Sequence, residues 1–303
     1  MAIALSFGSR SRRVLDWHNF GGSLLALRTS RRRRAAGLYA WCERLAARRA
    51  DDHWAVSEAL ATKLGRFRAV VVHDRPSRIF RAIASAAQGK RSLADRLAWW
   101  KKVLPQTPPP DAPCWVVAPS SWGLDEDSQA MVRAAEYWQT RSAYWGDAPR
   151  VTIIATGKGP GQPEFERAAT AFRCGPVALR TAWVPAEEYP ALLALADAGL
   201  CLHRSSSGFD LPMKLADFRG AARKALVFDY GPVLAEVFRP GADGWTFRND
   251  EELAARLKTL ALTPESDLTN VQSENDTWET EWDKQLGSWA CAREQERIRG
   301  VYR

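Results

Sequence analysis

Cysteine is scarce in this chain: Cys42, Cys114, Cys174, Cys201 and Cys291 lie far apart and form no Cys-x-x-Cys pair. That spacing excludes a disulfide framework and the usual structural zinc sites. It is what a reduced protein facing the cytosol is expected to show. Cys114 and Cys201 sit inside apolar runs and read as small core residues. No uninterrupted apolar run approaches the ~18–20 residues of a spanning helix, so membrane contact is expected to be peripheral. The opening MAIALSFGSRSRR has too short an apolar core, and the wrong order of charge, for a secretory signal. There is no internal repeat and no recognised nucleic-acid-binding module, so no nucleic-acid partner is expected; positive charge alone is weak support for one.

What the chain does have is 303 residues, 46% of them apolar, enough for about two domains with sizeable cores. Its 14 tryptophans suit packed interiors and contacts with sugar or lipid alike. The net charge of +8 conceals an asymmetry: residues 1–104 carry 22 Lys/Arg against 7 Asp/Glu, a balance of +15, and the remainder balances at −7. A basic half facing an anionic partner accounts for this, and so does a codon bias towards Arg and Ala.

The N-terminal part opens on the apolar-to-polar run Val14-Leu15-Asp16, followed by DWHNFGGS, a loop-like stretch ending at Gly21-Gly22. A helix is expected over Arg31–Arg49, with Leu38, Trp41, Cys42 and Leu45 at helical spacing. A strand at Trp54–Ser57, a helix from Glu58 and a strand at Ala69–His73 complete a β-α-β-α-β order, which implies a parallel sheet. The Pro-rich stretch 105–113, PQTPPPDAP, reads as the linker. The chain therefore divides into a domain at 1–104, the linker at 105–113, a domain at 114–265 and a helical tail at 266–303. In the second domain strands are expected at Cys114–Ala118, Val151–Ala155, Val177–Trp183, Gly199–His203 and Ala225–Asp229. Helices are expected between them at Asp127–Thr140, Glu164–Phe172, Glu187–Ala196 and Leu211–Ala222, and after them at Glu251–Leu260. That alternation is doubly wound α/β. Trp278 and Trp282 mark an amphipathic helix in the tail.

In an open α/β sheet, ligands bind beyond the carboxyl ends of the strands. Two loops there carry candidate chemistry. Thr156-Gly157-Lys158-Gly159-Pro160-Gly161 is neither a Walker A loop nor a dinucleotide fingerprint; a plain turn explains it as well as close approach to a ligand. Arg204-Ser205-Ser206-Ser207-Gly208-Phe209-Asp210-Leu211-Pro212-Met213-Lys214 opens a helix with hydroxyls, a glycine and a cation, which suits a phosphate. Asp217 shares a face with Lys214. A capped helix with a solvated ion pair is the simpler alternative from spacing alone.

The stretch Leu202–Lys214, Leu-His-Arg-Ser-Ser-Ser-Gly-Phe-Asp-Leu-Pro-Met-Lys, resembles the signature of the chitobiosyldiphosphodolichol β-mannosyltransferases, a GT-B glycosyltransferase family (family 33). Further matches run in order along nearly the whole chain: Asp16-Trp17-His18-Asn19-Phe20-Gly21, Ser121-Trp122 with Asp125-Glu126-Asp127, Thr156–Pro160, Glu188-Tyr189-Pro190, Glu236, and Asn249 to Leu253. The resemblance implies an α/β, GT-B fold of two Rossmann-like doubly wound domains facing a cleft. It implies GDP-mannose as donor and chitobiose on a dolichyl diphosphate as acceptor, joined by an inverting transfer into a β-1,4 linkage. The place implied is the cytosolic face of the endoplasmic reticulum membrane, in company with other early glycosylation transferases. No cofactor and no metal are implied.

On this resemblance Gly157, Lys158, Gly159, Ser207, Gly208 and Lys214 belong to the diphosphate and nucleotide region. Asp217 is the ribose candidate, Asp210 a helix cap or sugar ligand, and Glu236 a donor-side residue. His18 is the candidate base, since imidazole moves protons near neutral pH, with Asp16 to orient it and Trp17 and Asn19 on the acceptor side; shaping the cleft floor is the alternative role for all four. His203, His53 and His73 are weaker candidates. Arg28–Arg49, with Arg31–Arg34 and nearby Leu24, Leu25, Leu27, Tyr39 and Trp41, fits a helix resting on anionic lipid or a solvated basic face.

Two departures stand out. In the family the Asp-Trp-His-Asn loop follows a long stretch of N-terminal domain, whereas here it begins at residue 16, so the first domain is expected to be incomplete. A non-catalytic, shortened paralogue that binds nucleotide or a glycosylation complex is therefore the alternative function, and a GT-B enzyme with another donor or acceptor is a third. Ala221-Ala222-Arg223-Lys224 stands where relatives tend to show a Gly-Leu-Pro-like turn, and the fold is expected to tolerate it.

Overall fold

The structure, a computed structural model, describes residues 13–26, 33–141, 146, 148–263, 265–268 and 277–284. Leu27, Arg28, Arg31, Arg32 and Cys291 lie outside these residues.

Two parallel sheets organise the chain. The smaller contains β1 (Val14–Trp17), β2 (Asp52–Ala55) and β3 (Val70–Val71) in that order. β1 alternates strictly, with Leu15 and Trp17 buried and Val14 and Asp16 exposed, so one face of this sheet forms a core with Val56, Leu60 and Leu64. Helix α1 (Gly21–Ala26) begins within the stretch expected to be a loop. The buried carboxylate of Glu43 accepts hydrogen bonds from the amides of Gly21 and Gly22, at 2.8 and 3.4 Å. A Cβ at Gly21 would lie 2.2 Å from the ring of Tyr39. Glycine therefore lets α1 close onto α2 (Arg33–Ala47). Helix α2 is turned against its apparent pattern: Ala36, Glu43 and Ala47 face inward, while Leu38 and Trp41 are 64% and 52% exposed. Ser57 caps α3 (Glu58–Leu64), its hydroxyl accepting from the amide of Leu60.

The larger sheet holds six parallel strands: β4 (Cys114–Pro119), β5 (Val151–Thr156), β6 (Val177–Thr181), β7 (Ala198–Cys201), β8 (Ala225–Phe228) and β9 (Gly244–Phe247). Their order is β6-β5-β4-β7-β8-β9, the doubly wound dinucleotide-fold order with its switch point between β4 and β7. The runs CWVVAP and VTIIAT are buried on both faces because helices cover both. Helices α6 (Gln129–Thr140), α7 (Gln162–Ala169), α8 (Tyr189–Leu195), α9 (Lys214–Gly220) and α10 (Asp250–Leu262) complete this unit. α9 is shorter than the expected Leu211–Ala222.

Two helices that the periodicity did not announce, α4 (Arg78–Gln88) and α5 (Leu93–Val103), precede the Pro-rich stretch. They pack on the larger sheet: Ala84, Trp100 and Leu104 share a core with Trp115, Val117 and Leu192. Buried Asp197, before β7, accepts from Arg91 at 3.1 Å, from Arg96 at 2.8 and 2.9 Å and from the amide of Trp115 at 2.7 Å. The 105–113 stretch runs along this unit and is fastened to it, Thr107 and Ala112 accepting from the indoles of Trp100 and Trp115. The chain passes from one sheet to the other at Asp74–Ser77 instead. It returns at 277–284, where the Trp278 amide donates to Pro76 at 2.9 Å and Trp282 meets Trp54 edge-on at 5.4 Å.

Ala222 adopts φ +53. The amide of Arg223 reaches back to Phe218 at 2.9 Å, a left-handed helix C-terminus built on alanine instead of glycine.

Candidate active site

The switch point between β4 and β7 opens a crevice at their carboxyl ends. The loops that follow these two strands, 120–127 and 202–213, form its walls.

Asp210 organises the second loop. It is 4% exposed, and its carboxylate meets His203 Nε2 at 2.8 Å, accepts from Ser207 Oγ at 3.1 Å and is hydrogen-bonded by Ser205. Burial alone would raise its pKa; the bonds from His203 and Ser205 outweigh that and hold it below the ordinary value. Ser205 and Ser207 in turn accept from the amides of Gly208 and Phe209, and Tyr230 donates to the Asp210 carbonyl at 3.0 Å. Gly208 takes φ +79, open to glycine without strain. Asp210 is thus the internal tie of the loop, with its oxygens already engaged, and His203 serves it. Ser206 is the hydroxyl that faces across the cleft.

Lys214, at the start of α9, pairs with Glu126 of the opposite wall. Glu126 is fixed by Ser120 Oγ at 2.6 Å and the Ser121 amide at 3.0 Å. Burial would raise the Glu126 pKa, but the charge and hydrogen bond of Lys214 hold it low. An ammonium has three donors, of which one goes to Glu126. The 157–161 loop has a structural reason for its glycines. A Cβ at Gly157 or Gly159 would lie 1.9 Å from the Ser120 carbonyl or 2.0 Å from that of Ser121. They let the loop press against the first wall. Lys158 leaves it to stand 4.2 Å over the ring of Trp183, which is 54% exposed.

The facing wall comes from the smaller sheet. Asp16 and His18 share the exposed face of β1 and its continuation, and His18 Nε2 lies 3.1 Å from Asp16 Oδ2. The hydrogen bond to Asp16, opposed by partial burial, raises the imidazole pKa. Its other nitrogen is 3.9 Å from Asp74, after β3. Burial, opposed by the charge of His18, raises the Asp74 carboxyl as well. Asp217, on α9, accepts from Tyr189 at 3.0 Å. Its pKa is pushed up to about 6, chiefly by burial, with the Tyr189 bond opposing and Asp74 adding to it.

The remaining predicted residues stitch the walls together. Asn19 donates to Ser206 at 3.2 Å, and Ser23 and Ser206 hydroxyls meet at 3.0 Å. Phe209 enters the core of the smaller sheet, edge-on to Phe20. Glu236, expected on the donor side, accepts from the amides of Glu58 and Ala59 at 2.7 and 3.1 Å, capping α3, and lies 3.4 Å from His73. Trp17, expected at the acceptor, is 3% exposed and donates to His53 at 3.1 Å; it is core. Burial chiefly lowers the His53 pKa.

Sequence reasoning assigned no role to Asp74, Glu126 or Tyr189. Glu126 and Tyr189 stood inside matched segments, and Asp74 follows a strand end; those were the signals available.

A sheet of this order, a hydroxyl loop beneath a lysine at its switch point and a second small sheet bearing an Asp–His pair constitute a GT-B arrangement. A solved cyanobacterial structure, Anabaena Alr3699/HepE in complex with UDP and glucose, superposes with a TM-score of 0.62 at 16% identity, covering 93% of this chain and 72% of that one. Among curated proteins, the chain is 32% identical to the chitobiosyldiphosphodolichol β-mannosyltransferase of Arthroderma benhamiae over 92% of its own length and 65% of the relative's. It is 31% identical to UDP-glycosyltransferase TURAN of Arabidopsis thaliana over 85% and 65%. The chain thus spans a little under two thirds of these relatives. The model of the glycosyl transferase-like family matches residues 129–282, which hold α6 through α10 and the whole hydroxyl loop, and the chain belongs to that family.

Proposed function

We propose that this chain transfers mannose from GDP-mannose to chitobiose carried on a dolichyl diphosphate, inverting the anomeric centre to a β-1,4 linkage. The observation that carries the reading is the Leu202–Lys214 loop at the switch point, with the His18–Asp16 pair on the wall opposite. The acceptor hydroxyl oxygen attacks the anomeric carbon, its proton passes to His18, and the bonding pair of the departing oxygen leaves with GDP. Asp16 orients the imidazole and raises its basicity. The free donors of Lys214 meet the charge that grows on the diphosphate. Asp217 is assigned to the ribose and Trp183 with Lys158 to the base side of the same crevice. No metal enters this scheme. The place of action is the cytosolic face of the endoplasmic reticulum membrane; no helix among the described residues is long and apolar enough to cross a membrane. Early glycosylation transferases are the proposed neighbours.

The name of the plant relative favours a second reading, a uridine-nucleotide donor. Competition decides between them: GDP is expected to displace a fluorescent nucleotide at least tenfold more effectively than UDP, and the reverse order would sink the mannosyl assignment. Transfer of labelled mannose to phytanyl-diphosphate chitobiose tests the reaction itself.

A further inference from the structure

The smaller sheet carries a cavity of about 700 Å³ that the catalytic scheme does not use. Its walls are mainly apolar: Trp17, Phe20, Ala36, Ala40, Leu64 and Phe67. Arg44, Lys63 and Arg66 stand around it and are exposed. None of the three has an ion-pair partner among the described residues; Lys63 lies over the ring of Phe209 at 5.6 Å and Arg66 over Phe67 at 4.9 Å. The one carboxylate in the lining, Glu43, is occupied by the amides of Gly21 and Gly22. The volume is that of a ligand pocket, and its contents are defined by what it offers: an apolar interior and a cationic rim.

The cavity also adjoins the cleft. Ser23, in its wall, meets Ser206 of the donor loop at 3.0 Å. Phe20, another wall residue, packs edge-on against Phe209 of that loop at 6.4 Å. An amphiphile seated here with its anion at the rim would have its anionic end beside the donor loop.

We infer that this cavity holds the first isoprene units of a prenyl-diphosphate acceptor, with Arg44, Lys63 and Arg66 on the diphosphate. The inference rests on the lipid-linked acceptor proposed above. A nucleotide would find few hydrogen-bonding groups on these walls, whereas a dianion with an apolar tail matches the rim and the interior together.

The test is calorimetric titration of the whole chain with farnesyl diphosphate, inorganic pyrophosphate and farnesol, with GDP as a control for folding. Farnesyl diphosphate is expected to bind at least tenfold more tightly than either fragment. Ala40→Trp, which fills the interior, is expected to abolish that advantage while GDP binding persists. Lys63→Glu with Arg66→Glu, both on exposed positions, is expected to weaken farnesyl diphosphate at least tenfold and leave farnesol unchanged; this pair keeps the test open if Ala40→Trp does not fold. Farnesyl diphosphate binding no tighter than pyrophosphate, or undiminished in the charge-reversed pair, overturns the inference. Turnover separates the two claims. Mannose transfer to the phytanyl acceptor that farnesyl diphosphate does not inhibit removes the cavity assignment and leaves the reaction standing. Tight farnesyl diphosphate binding without mannose transfer keeps the cavity and removes the reaction.

Discussion

Asp217 is held at a cost that grows with pH, and replacing it measures that cost. Its carboxyl is pushed from the ordinary 3.8 to about 6 chiefly by burial, with the Tyr189 bond opposing and Asp74 adding repulsion. At about 1.4 kcal/mol per pH unit this amounts to roughly 3 kcal/mol. The folded state holds the proton to a higher pH than the unfolded state, so stability falls as pH rises. The effect is absent below about pH 4, develops between about pH 4 and about pH 6, and is complete above that. Asp217→Asn keeps an acceptor for the Tyr189 hydroxyl and removes the titration. The variant should therefore match the wild type near pH 4 and exceed it by up to roughly 3 kcal/mol at neutral pH. Urea unfolding of both proteins across that range gives the difference directly, with the other titrating groups cancelling. A gap independent of pH, or an asparagine variant less stable at neutral pH, refutes the argument. A destabilising carboxylate is the expected mark of a ligand-binding group, so the same variant should bind GDP-mannose about tenfold more weakly at neutral pH, about 1.4 kcal/mol.

The other predictions concern single contacts. Ala222→Gly relieves the left-handed φ of +53 and should stabilise the chain by about 1 kcal/mol in thermal unfolding; a loss would refute strain at that turn. Lys214→Ala should weaken GDP-mannose at least tenfold, about 1.4 kcal/mol or more, and unchanged affinity in a direct titration removes the lysine from the diphosphate. His18→Ala should lower turnover by about 100-fold or more with donor affinity nearly unchanged. In the wild type the acid limb of kcat/KM should fall above about 6.5, because Asp16 raises the imidazole; Asp16→Asn should move it down.

Much of the larger unit was legible from residue order. Apolar runs of five or six residues separated by helical spacings specify parallel strands covered on both faces, and CWVVAP and VTIIAT became β4 and β5 of that kind. In the smaller sheet the run Val14-Leu15-Asp16 was legible, and the structure adds the alternation that buries Leu15 and Trp17 and exposes Asp16. The matched hydroxyl loop was legible as a segment, though not its internal wiring, in which Asp210 engages Ser205, Ser207 and His203.

Helix α2 shows where local pattern fails. Its Leu38–Trp41 stripe is the more apolar, yet Ala36 and Ala47 are buried: Gly22 of α1 comes close at Ala36 and Ala40, and Ala47 packs into the core of the smaller sheet. Helices α4 and α5 belong with the larger sheet because Arg91 and Arg96 reach Asp197, about a hundred residues on. A proline-rich stretch between them cannot announce that.

What residue order settles is burial parity along each strand, the turns that demand glycine, and which residue types gather in one loop. The tertiary structure settles partners. Lys214 finds Glu126 at a separation of 88 residues, and Glu236 caps α3 at 178. Neither pairing follows from spacing: the first depends on β4 and β7 lying side by side at the switch point, the second on how the two sheets close on each other. Burial raises the Asp217 carboxyl in the same way, in a setting that brings Tyr189 and Asp74 beside it from distant parts of the chain.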